Sequence, residues 1–441
     1  MDEQPDIDLD FALVELGLQD PRLATLAGAA IGVLTGDGGL EALTQQALQS
    51  FVWYELPCEY GGTAGTKLAL IAALGRLFDR LGMSRYAGVC ASPTTAAVVR
   101  AYAKGVNQGL AAYRRAEDRS GVRPPHLPEL VWGRTMGSVE ASAFQSTAAA
   151  LELAVAAGLL RPSVRGWRRL QQELAWQHLT APHPEFGGRA WIAGVYAERF
   201  AYWLHGRSPA RTRLVGAVAE EVLACDGPVP GTARALAPLC WVLSRALDGL
   251  ALTARGNWSR ALVAEVADRF GWWPYPRPPR GEHEVDRVRR LHRLLVQLGA
   301  LRRVGRREEL TWIGRALQQD SAILWRVIAR HLGLGLDFDA HLRELVFAAL
   351  LAEPSVDTYE VVHRVRRILA DEGWRDHHGQ LEHEAAYASF GALLQLALPL
   401  GMFDERAWPD DLRLTVPGRG LALEALRVRA TAPREVHLCG P

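Results

Sequence analysis

The chain has 441 residues, 49% of them hydrophobic and 22% charged, with a formal net charge of +1. That balance excludes a disordered chain, and the length points to about three domains rather than one core. No run of ~18 apolar residues occurs, which excludes a helical membrane span, and the near-neutral charge supplies no global attraction to polyanions.

Residues 1–10 are acidic and hold no apolar leader, so the expected location is the cytoplasm. Cys58, Cys90, Cys225, Cys240 and Cys439 are scattered and form no CxxC pair, as expected of reduced thiols rather than a zinc site. Apart from Lys67 and Lys104, every basic side chain of permanent charge is arginine. With so much Ala, Gly and Leu, this is the mark of a GC-rich coding bias. It weakens any argument that a given arginine was selected for its forked geometry.

Apolar residues recur at helical spacing along most of the chain. Leu40, Leu43, Ala47, Phe51 and Tyr54 form one stripe, and Leu70, Leu74, Leu77, Phe78 and Leu81 another. Between them, GGTAGTKL (61–68) imitates a phosphate loop. Its lysine does not follow the last glycine, Leu68 stands where Ser or Thr belongs, and no strand precedes it, so nucleotide binding is rejected. Prolines then break the pattern at 122–130 (VRPPHLPEL), 180–188 (TAPHPEFGG) and 272–281 (WWPYPRPPRG), with a softer break at 228–231. The domains expected from these breaks are 1–130, 131–230, 231–335 and 336–441.

One pattern recurs three times, at 144–170, 287–317 and 390–426. A long apolar helix ends at a glycine (Gly158, Gly299, Gly401), then come a short strand, a polar turn, a second strand or Trp, and a short helix. The expected fold class is therefore all-α with small β-hairpin wings in repeated winged-helix-like units. The second copy is the most complete. Helices are expected at 233–247, 261–270 and 285–298, a strand at 250–253 (LALT), and a hairpin pairing 301–304 with 309–312 across Gly305.

LALTARGNWSRALVAEVADRFGW, LHRLLVQLGALRR and LTWIGRAL, together with FVWYELP and LFDRLGMSRYAGVCASP, resemble segments of a family of uncharacterised bacterial proteins, often plasmid-borne or from high-GC genomes. The resemblance covers about residues 45–105 and 245–330. It implies a winged-helix-like segment and carries no activity.

The second copy holds the strongest functional signal. Arg287, Arg289, Arg290 and Arg293 flank the apolar stripe Val288, Leu291, Leu295 and Leu298 on the expected recognition helix, and Arg302, Arg303, Arg306 and Arg307 occupy the expected hairpin. A helix entering the major groove with a basic wing over the phosphates needs that distribution. The expected function is DNA binding; the alternative is a protein-interaction scaffold whose units dock a partner or a second copy of the chain. The first copy is also basic (Arg161, Arg165, Arg168, Arg169). Asp404, Glu405, Asp410 and Asp411 make the third acidic, which points to protein contacts there.

His377, His378 and His383 cluster with Glu382 and Glu384 but lack the second histidine of HExxH, so no metal is expected. Among the many tryptophans, mostly core or domain-interface material, Trp272 and Trp273 are the pair expected to be exposed. No cofactor motif or catalytic spacing emerges, and enzyme activity has no support in the sequence.

Overall fold

The computed structural model describes residues 8–35, 39–375, 379, 381–404 and 411–434. These are mainly helical with small antiparallel sheets. Two compact units emerge, Met1–Glu198 and Arg199–Pro441. The breaks at 122–130, 228–231 and 272–281 all lie inside a unit.

The first unit holds α1 (Leu9–Gln19), α2 (Pro21–Thr35), α3 (Gln45–Ser50), α4 (Leu56–Glu59), α5 (Ala64–Arg80), α6 (Ser84–Ala91), α7 (Pro93–Lys104), α8 (Val106–Ser120), α9 (Ser138–Ala156) and α10 (Trp167–Thr180). A single π-helical turn, Phe51–Glu55, joins α3 to α4. The second expected stripe buries Leu74, Leu77 and Phe78 from α5, beside Leu43, Phe51 and Val52. The GGTAGTKL segment is a helix start: Thr63 caps α5 by accepting from the Thr66 amide at 3.2 Å, and Lys67 donates to the Pro57 carbonyl at 2.9 Å.

The first expected helix–wing copy does not form its wing. Gly158 ends α9 with φ +71°, and the Leu160 amide reaches back to the Ala154 carbonyl at 3.0 Å. Reverse turns then run straight into α10, through Val164 to Arg161 and Trp167 to Val164. Pro162 has no N–H to give a ladder, which disfavours a strand here. The paired strands of this unit lie further on, β1 (Pro182–His183) with β2 (Arg189–Ala190), followed by α11 (Trp191–Leu204), within which the division between units falls.

The second unit continues with α12 (Pro209–Ala224), α13 (Thr232–Arg245), β3 (Leu250–Ala251), α14 (Arg260–Arg269), α15 (Asp286–Gln297), β4 (Leu301–Val304), β5 (Arg307–Leu310), α16 (Trp312–Gln319) and α17 (Ser321–Gly333). Then follow α18 (Phe338–Ala352), β6 (Val356–Asp357), α19 (Thr358–Asp371), α20 (His383–Ala397), β7 (Asp411–Leu412) and α21 (Val416–Ala430). One core runs through it, with Trp258, Trp325 and Phe347 among its fully buried side chains.

The three-stranded sheet has the order β3-β5-β4, all antiparallel. Its hairpin pairs Leu301 with Leu310 and Val304 with Arg307. The second strand thus starts two residues earlier than the sequence pattern places it, and Trp312 belongs to the following helix. Gly305, at φ +61°, takes the first of the two turn positions. Further along, β6 pairs β7, and Phe403 bridges Leu414.

Both hairpin segments close with the same clasp. At the first, the Thr311 amide donates to the Ala300 carbonyl at 2.9 Å, the Thr311 hydroxyl donates to the Gly299 carbonyl at 2.6 Å, and the Gly314 amide donates to that hydroxyl oxygen at 3.0 Å. At the second, Thr415 meets Met402 at 2.9 Å and Gly401 at 2.7 Å, and Gly418 reaches Thr415 at 3.1 Å. A Cβ on Gly314 would lie 2.1 Å from the Ala300 oxygen, and one on Gly418 2.0 Å from the Met402 oxygen. Threonine caps a helix while tying it to the preceding helix end, and glycine is required where the two backbones touch.

Candidate functional site

The eight arginines of the second copy divide into two groups. On α15, Arg287 lies over the Trp272 ring at 5.8 Å from its centroid, and burial lowers its pKa. Arg290 pairs with Asp286, donates to the Leu394 carbonyl of α20 at 3.4 Å and is only 15% exposed. Arg289 also pairs with Asp286. Arg293 alone of the four is fully on the surface. The arginines expected to flank the apolar stripe of α15 on its exposed side are therefore partly drawn in, because Asp286 in its first turn engages two guanidiniums and Trp272 a third.

The hairpin is different. Arg302, Arg303, Arg306 and Arg307 are all exposed. Arg302 pairs with Glu309 at 3.5 Å. Arg303 donates to the Gly305 carbonyl at 3.1 Å and Arg307 to the Asp248 carbonyl at 3.3 Å. Among the described residues, no carboxylate neutralises Arg303, Arg306 or Arg307 within ion-pair distance. Arg303 leans towards the turn at Gly256, where a Cβ would lie 3.3 Å from its Nη1. Arg255 of that turn and Arg280 of the Pro-rich loop line a shallow cleft of about 270 Å³ with Asn257 and His283. Arg303 beside the Gly256 turn and Arg255 and Arg280 in the cleft thus come from three separate stretches of sequence, with Glu282 also on the cleft wall.

A charged network beneath that surface has no counterpart in the sequence reading. His292, on the buried side of α15, sits between two carboxylates. Its Nδ1 is 3.1 Å from Glu282 Oε1, and its Nε2 is 3.0 Å from Glu308 Oε1. Trp258 stacks on the imidazole at 4.6 Å, donates its indole N–H to Glu308 at 2.9 Å, and bonds Glu282 through its backbone amide. Burial opposes the imidazolium, but the hydrogen bonds and charges of Glu282 and Glu308 outweigh it and raise the His292 pKa to about 9. Glu308 responds in kind. Burial pushes its carboxyl up, yet the His292 contact holds it below the ordinary range. The sequence signal was spacing: His292 lies four residues after Val288 and three before Leu295, on the apolar stripe itself.

The second segment of this unit carries a network of another kind. Glu344 on α18 is buried and bound by Arg211 of α12 at 2.6 Å, by Arg429 of α21, and by the Trp203 indole at 2.9 Å. Burial alone would raise its pKa; the two guanidiniums override that and lower it to about 2. Asp411 pairs with Arg413 at 2.9 Å. Glu405 and Asp410, the rest of the expected acidic hairpin turn with Asp404, lie outside the described residues. His377 and His378 do too. His383 instead contacts His363 of α19 at 3.3 Å with stacked rings.

Among the described residues, no group of three His, Cys, Asp or Glu side chains is arranged to hold a metal. Cys58, Cys90, Cys225 and Cys240 are free thiols, and no described helix is long and apolar enough to cross a membrane. In the first unit, Arg161, Arg165, Arg168 and Arg169 are exposed around the turns that replace the expected wing. Trp272 and Trp273 are half-buried, whereas Trp312, at the start of α16, is 81% exposed. Comparison of the chain with protein-family models, with curated proteins and with solved structures finds no match.

Proposed function

We propose that the second unit binds nucleic acid, double-stranded DNA in the first instance, through residues 232–310 acting as a winged helix. The order α13, β3, α14, α15, β4, β5 and the sheet order β3-β5-β4 support that reading. On the same reading, α18 to α21 with β6 and β7 form a second, related module. The observation that carries the functional part is the hairpin: Arg303, Arg306 and Arg307 are exposed, close together and, among the described residues, have no carboxylate within ion-pair distance.

Most of the affinity then comes from phosphates. The hairpin and the turn at Arg255 neutralise the backbone, and Arg293 is the main contribution from α15, since Arg287 and Arg290 are engaged within the protein. Such an interface grips a duplex with little base discrimination. Polarisation titration of a labelled duplex against salt tests this. With three or four phosphates neutralised, log affinity should fall against log salt with a slope of about −3. No binding at low salt would overturn the reading.

One observation favours the alternative, a scaffold for a protein partner or a second copy of the chain. The expected reading helix α15 shares its surface with α20 through Arg290 and Leu394, while Trp312 at the start of α16 stands exposed. Light scattering showing self-association that Trp312→Ala abolishes, with no duplex binding, would select it.

A further inference from the structure

A groove of about 520 Å³ opens in the first unit, bordered by α3, the π-helical turn and α6 to α8. Its polar lining comes from Arg85, Arg115, Arg119, Gln49, Ser92, Thr94 and Ser120, and no described lining residue is an aspartate or glutamate. Three guanidiniums therefore face a concave surface that holds no anion of the protein's own.

One of the groove's polar groups is buried and left unfinished. Arg85 is tied down at Nε by Gln45 at 2.6 Å and at Nη1 by the Glu152 carbonyl at 2.8 Å, yet its Nη2 is buried and has no partner among the described residues. Gln49 lines the groove, and its side-chain amide, which reaches the groove's solvent, makes no hydrogen bond among the described residues. Leaving a buried donor unpaired is costly, so such a group generally marks a site completed by something else. Arg115 and Arg119 lie four apart on one face of α8, exposed and unpaired among the described residues, and like charges so placed repel. The N-terminus of α7, capped by Ser92, adds the positive end of a helix dipole.

The remaining wall is apolar: Trp53, held by its indole N–H on Thr95 at 2.7 Å, with Val89, Val98 and the small residues Ala97 and Ala112. The volume far exceeds that of a phosphate ion, and pockets of this size suit ligands with a body as well as a charge. The π-helical turn brings Gln49 and Trp53 to the same wall, and single π turns recur at functional sites.

We infer that this groove binds a small organic phosphate, its dianionic phosphate held by Arg85, Arg115 and Arg119 and its body lying against Trp53 within reach of Gln49. The site is independent of the nucleic-acid reading of the second unit.

The test is calorimetric titration of the full chain with inorganic phosphate, adenosine monophosphate as a representative organic phosphate, and adenosine. The organic phosphate should bind about tenfold or more tighter than inorganic phosphate, and adenosine should bind least. Arg115→Ala with Arg119→Ala, both exposed and safe for folding, should weaken both phosphates by about tenfold or more. Gln49→Leu should weaken only the organic phosphate. Arg303→Glu with Arg306→Glu, in the second unit, should change none of this, so failure here is distinct from failure of the DNA reading. Absence of binding, an unaltered double alanine variant, or equal affinity for both phosphates would overturn the proposal. Displacement of the ligand by a duplex oligonucleotide would do so too, by making the groove part of a nucleic-acid surface.

Discussion

The two hairpin segments of the second unit are built alike at the backbone and unlike in charge. Each has a glycine-ended helix, a threonine that clasps it, and a glycine three residues on that admits a carbonyl oxygen. Around the first, arginines crowd the surface and a histidine is buried between two glutamates. Around the second, a glutamate is buried between two arginines, and the described hairpin arginine, Arg413, is already paired. Shared main-chain geometry thus sets the architecture, while the side chains decide which segment is open to an anion. The buried networks also answer pH differently: one is centred on a titrating imidazole, the other on a carboxyl held near 2.

The largest expected effect lies in the second network. Glu344→Gln leaves Arg211 and Arg429 buried without their counter-charge and should cost ~3–5 kcal/mol in urea unfolding of this unit. A smaller loss would mean that water reaches those guanidiniums.

Next come the clasp glycines. Gly314→Ala and Gly418→Ala each drive a methyl into a carbonyl oxygen, and each should cost ~2–3 kcal/mol. The likeness of the two segments predicts similar values; tolerance at one and collapse at the other would break it.

The pH response separates the networks. Because His292 has a raised pKa, its contribution is fully present below the unfolded value near 6.5 and is lost as pH rises through about 9. Its size is ~3 kcal/mol, the free-energy equivalent of the pKa shift. Thermal melts between pH 6 and 10 should show the second unit weakening. His292→Gln should flatten that dependence, and a pH-independent wild type would contradict the assignment. Glu308 contributes on the acid side, where its lowered pKa means stability is lost as pH falls through it.

The smallest stability change belongs to the caps. Thr311→Val and Thr415→Val each remove a hydroxyl that links two backbone groups, and each should cost ~1 kcal/mol. Unequal losses would show that one clasp is held mainly by its surroundings.

Much of this was legible in the sequence because it rests on local rules. Glycine after an apolar helix gave the left-handed ends at Gly158, Gly299 and Gly401. Apolar spacing placed α13, α14 and α15 to within two residues at each end. What failed did so where a tertiary partner inverts a local preference. Glu308 points inward from β5 because His292 waits for it, so reading the strand from apolar residues alone shifted it by two positions. Arg287 and Arg290 looked like surface by spacing, but Trp272 and the Leu394 carbonyl, distant in sequence, draw them in. Pro162 was the local warning against a wing in the first copy. The groove in the first unit had no signal, since Gln49, Arg85 and Arg115 meet only in the fold.

The central claim is that the first hairpin, and not the second, carries affinity for nucleic acid. One side-by-side polarisation titration at low salt tests it, comparing the wild type, Arg303→Glu with Arg306→Glu, and Arg413→Glu on the same labelled duplex. The exposed replacements should leave stability within ~0.5 kcal/mol. The first variant should lose at least about tenfold in affinity, with a shallower salt slope, while Arg413→Glu binds as the wild type does. Equal binding by all three proteins, or none by the wild type, would contradict the account.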